Sequence, residues 1–184
     1  MAKMIVMDLD GTLLDDDENV SPYTLSIMKK CKKVGMKIVI ATARGRSAEK
    51  AIDLVEPDFS ILDDGTLILD SNKKIINTEL LALGMSNAMQ YGHIETRELL
   101  INSYSLWSFD KMTAVEILAK SQGIPLSEII AFGDDHNDIE MIKNCGVGIA
   151  MENAIHTVKH FSKGICMNNN EDGVARWIEE NILK

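Results

Sequence analysis

Apolar residues in this chain come in short, nearly uncharged runs, each closed by polar turn chemistry. Residues 4–7, 37–41, 59–62, 129–132, 146–150 and 165–167 are such runs. Their length and boundaries predict buried strands. Between them apolar positions recur at helical spacing. Leu25, Met28 and Cys31 mark one helix, with Ser21 as N-cap, Pro22 at its first position and Gly35 beyond its end. Further helices are predicted up to about residue 55, before Pro57, and over 110–122, with Gly123 as cap. Others follow from Asn137 or Asp138 to Lys143, around His156 and His160, and over 174–182.

Strands alternating with helices predict an α/β fold with a parallel sheet and right-handed crossovers. Ligands of such sheets lie beyond the carboxyl ends of the strands. Residues 65–110 break the rhythm. Segments 66–69 and 75–78, joined by 70–74, predict a hairpin. Residues 78–91 predict a helix with Leu81, Met85, Ala88 and Met89 on one face, ended by Gly92. Residues 95–101 suit a helix or a strand. The predicted organisation is therefore a core of residues 1–64 and 111–184 with a small α+β cap inserted at 65–110. The cap's apolar face is either local core or the contact surface of a homo-oligomer.

Composition narrows the function classes. The 184 residues are 46% hydrophobic and 26% charged, with a net charge of -9. Non-specific binding to nucleic acid or to an anionic membrane does not fit that charge. No apolar stretch approaches the roughly 18 residues of a membrane span. The first residues lack a secretory signal pattern. Cys31, Cys145 and Cys166 show no CxxC spacing and read as free thiols. Together these predict a cytoplasmic protein without membrane or nucleic-acid partners.

The strand ends carry the candidate chemistry. Asp8 and Asp10 follow the first run, two residues apart, and in an extended backbone would face one point. Paired carboxylates need a positive partner, and a divalent cation, magnesium above all, is the natural one. Thr42-Ala43-Arg44-Gly45-Arg46-Ser47 closes the second run with a hydroxyl and two guanidiniums, suited to a phosphate or to an ordinary turn. Asp63 and Asp64 close the third. Lys111 stands in the first turn of a helix, where the dipole disfavours a cation. Gly133-Asp134-Asp135-His136-Asn137-Asp138 closes the fourth with an oxygen-rich cluster that suits magnesium. The glycines at 146 and 148 lack the third glycine of a dinucleotide fingerprint. His156 and His160 have zinc-compatible spacing but no obvious third ligand.

Taken together, these motifs resemble the haloacid dehalogenase (HAD) superfamily of phosphohydrolases, and within it the Cof-like, type IIB branch. Residues 8–14 (DLDGTLL), residues 40–44 (IATAR), Lys111 and residues 133–138 (GDDHND) resemble its four motifs in order. Residues 147–154 (VGIAMENA) and 168–180 (NNNEDGVARWIEE) are also similar to that branch. The resemblance implies a Rossmann-like core and a magnesium-dependent phosphatase acting on a small phosphorylated metabolite, of sugar phosphate or phosphoglycolate type. It implies Asp8 as nucleophile, Asp10 as proton donor and acceptor, and Lys111 as catalytic charge stabiliser. Thr42, Ala43, Lys111 and Asn137 would hold the phosphoryl group, with Asn137 orienting either Lys111 or the phosphate. Asp8, Asp10, Asp134 and Asp138 would hold the metal, Asp10 through its carbonyl and Asp138 in support. Ala43 stands where the family often has glycine, and the cap is short for this branch, which leaves the substrate open. A phosphotransferase or mutase of the same family is the nearest alternative. A receiver-like phospho-switch is further off, because receivers lack the second carboxylate and the insertion.

Overall fold

The computed structural model describes residues 2–76 and 110–184. Its strands follow the apolar runs: β1 (Met4–Met7), β2 (Lys37–Ala41), β3 (Phe59–Leu62), β4 (Leu67–Asp70), β5 (Ile129–Gly133), β6 (Val147–Met151) and β7 (Gly164–Cys166). They form one sheet in the order β4-β3-β2-β1-β5-β6-β7. Every neighbouring pair is parallel except β3 with β4. β1 is central, and its four side chains are 0% exposed. Cover on both faces is what permits an apolar run without alternation.

Helices α1 (Pro22–Lys33), α2 (Glu49–Val55), α3 (Lys111–Gln122), α4 (Ile139–Asn144), α5 (His156–Phe161) and α6 (Gly173–Asn181) flank the sheet. α1 packs on α2 and α6, while α4 packs on α3 and α5. The caps act as their sequence implies. Ser21 Oγ accepts from Thr24 N at 3.0 Å, and Gly123 ends α3 at φ +64°.

The expected α/β architecture is present, and the start of the segment expected as a cap has a task in it. β4, inside 65–110, pairs antiparallel with β3 and forms the edge of the core sheet. Ile68 is buried there, which ties the strand to the core. Beyond it the expected hairpin is a single described bridge, Leu69 with Ile75, across a turn closed by Asp70 N donating to Lys74 O at 2.9 Å. The helix expected at 78–91, the segment 93–104 and the face formed by Leu81, Met85 and Met89 lie outside the described residues.

Register brings the strand ends level. Met7 pairs with Ile40 on one side and with Phe132 on the other. The residues just beyond (Asp8, Thr42 and Asp134) therefore gather at one edge. Strand order also reverses here, since β2 and β5 flank β1 on opposite sides. Open α/β sheets bind their ligands in such a crevice.

Candidate active site

The chain leaves β1 in an irregular loop. Asp8 N still donates to Phe132 O at 3.2 Å. Asp10 is then extended (φ -73°, ψ 127°), Gly11 turns left-handed at φ +67°, and Leu14 N donates back to Leu9 O at 2.9 Å. Gly11 is required twice over. Its φ suits glycine, and a Cβ there would strike the Asp134 carboxylate. That contact brings the β1 loop against the β5 loop, and Thr12 Oγ1 fastens it by donating to Asp134 Oδ1 at 2.8 Å.

Lys111 lies at the centre of the site. It is 1% exposed, and its Nζ donates to Asp8 Oδ1 and to Asp138 Oδ1, both at 2.7 Å. It opens α3 behind Asp110, whose side chain accepts from Thr113 N at 2.7 Å. The two carboxylates answer the conflict between a cation and the positive end of a helix. A Cβ on Gly65 would strike the Asp110 carbonyl, so residues 65 and 110 abut beside Lys111. Asp138 is fully buried with both oxygens bound. Oδ1 takes Lys111, and Oδ2 accepts from Asp134 N at 2.9 Å and Asp135 N at 3.2 Å. It therefore braces the lysine and the β5 loop together.

Asp8, Asp134 and Asp138 each offer an oxygen within 4.8 Å of the others. One ammonium does not balance three carboxylates. Burial, then repulsion from Asp138, pushes the Asp8 carboxyl up to about 7 despite Lys111. Burial likewise pushes Asp134 up to about 6. Burial opposes the charge on Lys111, but Asp8 and Asp138 outweigh it and raise its pKa above the ordinary lysine value. A cluster short of positive charge, built only of carboxylate oxygens, fits a hard divalent cation such as magnesium.

Asp10 is placed otherwise. Its side chain is 51% exposed and forms a two-pronged pair with Arg44, whose Nε donates to Oδ2 at 2.8 Å and whose Nη2 donates to Oδ1. Arg44 also donates to Glu18 at 2.9 Å. Hydrogen bonding to Asp10 first, and to Glu18 second, raises the Arg44 pKa. The expectation that Asp8 and Asp10 face one point is corrected here. β1 ends at Met7, so strand alternation does not carry as far as Asp10, and its carboxylate stands outside the acidic cluster.

Thr42 is fully buried at the end of β2, and its Oγ1 accepts from Arg44 N at 3.1 Å. Ala43 beside it is exposed. Asn137 does not touch Lys111; its Nδ2 donates to Asp64 Oδ1 at 2.8 Å. The tight turn His136–Asp138, closed by a capping box, directs Asp138 inward, and Asp138 takes the contact with Lys111. His136 is exposed, and neither His156 nor His160 joins the acidic cluster. All three cysteines are buried, with thiols pushed up to about 11 or 12 by burial, which leaves them protonated. Thr12, the contact of Asp64 with Asn137 and the Arg44–Asp10 pair were not read from sequence. Thr12 directly after Asp10-Gly11 was the one local signal; the others need the fold.

A family model described as haloacid dehalogenase-like hydrolase matches residues 5–104 and 106–178. The 5-amino-6-(5-phospho-D-ribitylamino)uracil phosphatase YitU of Bacillus subtilis is 41% identical over 260 residues, covering 96% of this chain and 96% of that protein. That alignment is longer than the 184 residues here, so the relative carries stretches with no counterpart in this chain. A phosphoglycolate phosphatase of Methanopyrus kandleri is 22% identical over 225 residues, covering 98% of this chain and 97% of that protein. Among solved structures, a haloacid dehalogenase-like hydrolase from Bacteroides thetaiotaomicron superposes with a TM-score of 0.80 at 20% identity, covering 98% of this chain and 99% of that one.

Proposed function

The chain belongs to the haloacid dehalogenase-like hydrolases, and on that premise we propose that it is a magnesium-dependent phosphatase working through an aspartyl-phosphate on Asp8. One observation carries this reading: a buried carboxylate at a strand end, 2.7 Å from a buried lysine and grouped with two further acids. Asp8, Asp134 and the Asp10 carbonyl, with Asp138 in support, would hold a divalent cation, which would offset the repulsion between the carboxylate nucleophile and an anionic phosphate.

The chain's own residues supply the rest. An oxygen of Asp8 attacks phosphorus, and the bond from phosphorus to the leaving oxygen breaks. Asp10, half-exposed, leaves its pairing with Arg44 and in its protonated form gives that oxygen its proton. Asp10 then takes a proton from water, which attacks the same phosphorus, releases phosphate and restores Asp8. Lys111 holds Asp8 in place and stabilises charge on the transferring group, with Thr42 as a neighbouring donor. Ala43 lies beside that group and Asn137 at its rim. Passing the phosphoryl group to an acceptor other than water would make the enzyme a phosphotransferase or mutase.

We place the substrate among phosphates with an uncharged leaving group, such as sugar or polyol phosphates. The rim of the site is acidic, with Glu18, Asp64 and Asp135 at least partly exposed. Arg44 is already taken by Asp10 and Glu18. The stretch 77–109, inside the insertion we propose as the cap, has one lysine or arginine, Arg97, against Glu79, Glu95 and Glu98. A second anionic group on the substrate finds little to balance it there. Relatives acting on a ribitylamino phosphate and on phosphoglycolate fall on the two sides of this distinction. Among the described residues, no helix is long and apolar enough to cross a membrane. A cytoplasmic location agrees with that and with the three free thiols.

The test is phosphate release from p-nitrophenyl phosphate and a metabolite panel, with and without magnesium, for wild type and Asp8→Asn. Activity that needs both magnesium and Asp8 supports the proposal. Equal activity in the variant, or none in the wild type on any phosphate, overturns it.

A further inference from the structure

Two polar segments late in the chain have no part in the chemistry above: Asn153 on the loop after β6, and the run from Asn168 to Gly173 ahead of α6. Both reach back to the loop after β1. Asn153 Nδ2 donates to Gly11 O at 2.7 Å, and Asn153 Oδ1 accepts from Asn169 N at 3.1 Å. Asn169, buried, donates through Nδ2 to Leu14 O and to Asp16 Oδ1, both at 3.0 Å. Asp16 N donates to Asn170 Oδ1 at 3.0 Å. Asp172 anchors the segment to α1 by accepting from Ser21 Oγ and Thr24 Oγ1.

Besides these asparagines, the loop they hold is tied by Thr12 on Asp134, by Leu14 N on Leu9 O and by Arg44 on the Asp10 carboxylate. Between Asp8 and Asp15 it leaves the sheet, and Gly11 sits in a left-handed turn. Backbone groups outside a ladder take their geometry from whatever side chains bind them. Here the binding side chains are asparagines: Asn153 donates from Nδ2 and accepts at Oδ1, Asn169 donates, and Asn170 accepts. Asn153 also stands on the loop whose Ile155 N donates to Asp134 O at 2.9 Å. One short loop thus touches the Gly11 carbonyl, one residue past Asp10, and the backbone of Asp134. Gly11 in turn lies against the Asp134 carboxylate.

We propose that Asn153, backed by Asn169, is a positioning residue for Asp10: its amide holds the Gly11 carbonyl and so sets where the adjacent carboxyl meets the leaving oxygen. This rests on the reading of Asp8 as nucleophile and Asp10 as proton donor. A positional error at a general acid costs most when the leaving group needs its proton. An alkoxide needs it; p-nitrophenolate leaves almost without it. Misplacement by about 1 Å costs up to about 100-fold.

The experiment compares kcat/KM for glycerol phosphate and for p-nitrophenyl phosphate in wild type, Asn153→Ala and Asn153→Asp. Asn153→Asp keeps the oxygen that accepts from Asn169 and loses the donor to Gly11 O. Both variants should lose roughly 10- to 100-fold on the alkyl phosphate and less than about 3-fold on the aryl phosphate. Asn153 is exposed, so melting temperatures should stay within a few degrees of wild type. No loss on either substrate overturns the proposal. So does an equal loss on both, which would mark a general scaffold role. Asp8→Asn, run in parallel, separates this from the underlying reading. If it retains activity, the phosphatase mechanism itself fails, whatever Asn153 does.

Discussion

Two aspartates two residues apart lie in opposite surroundings. Asp8 is buried and bound to a buried lysine, in a group of acids braced by backbone amides. Asp10 stands half in solvent, bound to an arginine that is itself shared with Glu18. The first environment fixes a carboxylate and raises the energy of its charge. The second keeps a carboxyl accessible while a two-pronged pair with Arg44 holds it. A nucleophile needs fixed aim, and a proton carrier needs access to leaving group and water. Under the proposed mechanism, the difference between the two sites is a division of labour that follows from where β1 ends.

The buried side breaks hardest. Asp8→Asn should lower phosphate release roughly 1,000-fold or more while leaving the fold intact. Lys111→Met leaves Asp8 and Asp138 facing each other without the ammonium. Urea unfolding of the metal-free protein should then show a loss of about 3 kcal/mol. Stability equal to wild type would mean the lysine does not balance the pair.

On the exposed side, Asp10→Asn should cost roughly 100- to 10,000-fold in turnover with little change in stability. A melting temperature lowered as far as by Lys111→Met would erase the contrast between the two aspartates.

Proton linkage sharpens the comparison further. Asp8 at about 7 and Asp134 at about 6 both lie above the ordinary value of 3.8. The folded state therefore binds their protons more tightly than the unfolded state. Their contribution to stability is full below about pH 4 and is lost as pH rises through 6 to 7. Wild type without metal should lose melting temperature over that range, and Asp8→Asn should lose less. Magnesium should raise the melting temperature more at pH 8 than at pH 5, because protons compete for the same oxygens. Equal metal effects at both pH values would contradict the assignment of this cluster as the metal site. The smallest effect belongs to Glu18→Gln, which removes an exposed partner of Arg44. It should change kcat/KM by no more than about 2-fold.

Much of this was legible in the chain. A parallel sheet covered on both faces demands short apolar runs, and β1, β2, β3 and β5 were visible for that reason. Asp8, Thr42, Lys111 and Asp134 could be read because they end those runs or violate a helix rule. The placement of Asp10 could not, since two-residue alternation holds only while the strand lasts. Asn153 and Asn169 fall in the two late segments that resemble the family, but their contacts were illegible for a different reason. Their partners lie 142 and 155 positions away, and no local periodicity reports such a contact. Of the two roles open to Asn137, the contact with Lys111 falls to Asp138 instead, because a tight turn sends adjacent side chains to different neighbours.

The division of labour between the two aspartates is tested most directly by trapping the intermediate. Asp10→Asn is mixed with substrate and magnesium, quenched in acid, digested and read by mass spectrometry. The account predicts a phosphoryl group on the peptide bearing Asp8, at higher occupancy than in wild type, and none in the Asp8→Asn, Asp10→Asn double variant. A phosphoryl group on any other residue, or wild-type turnover by Asp10→Asn, would contradict it.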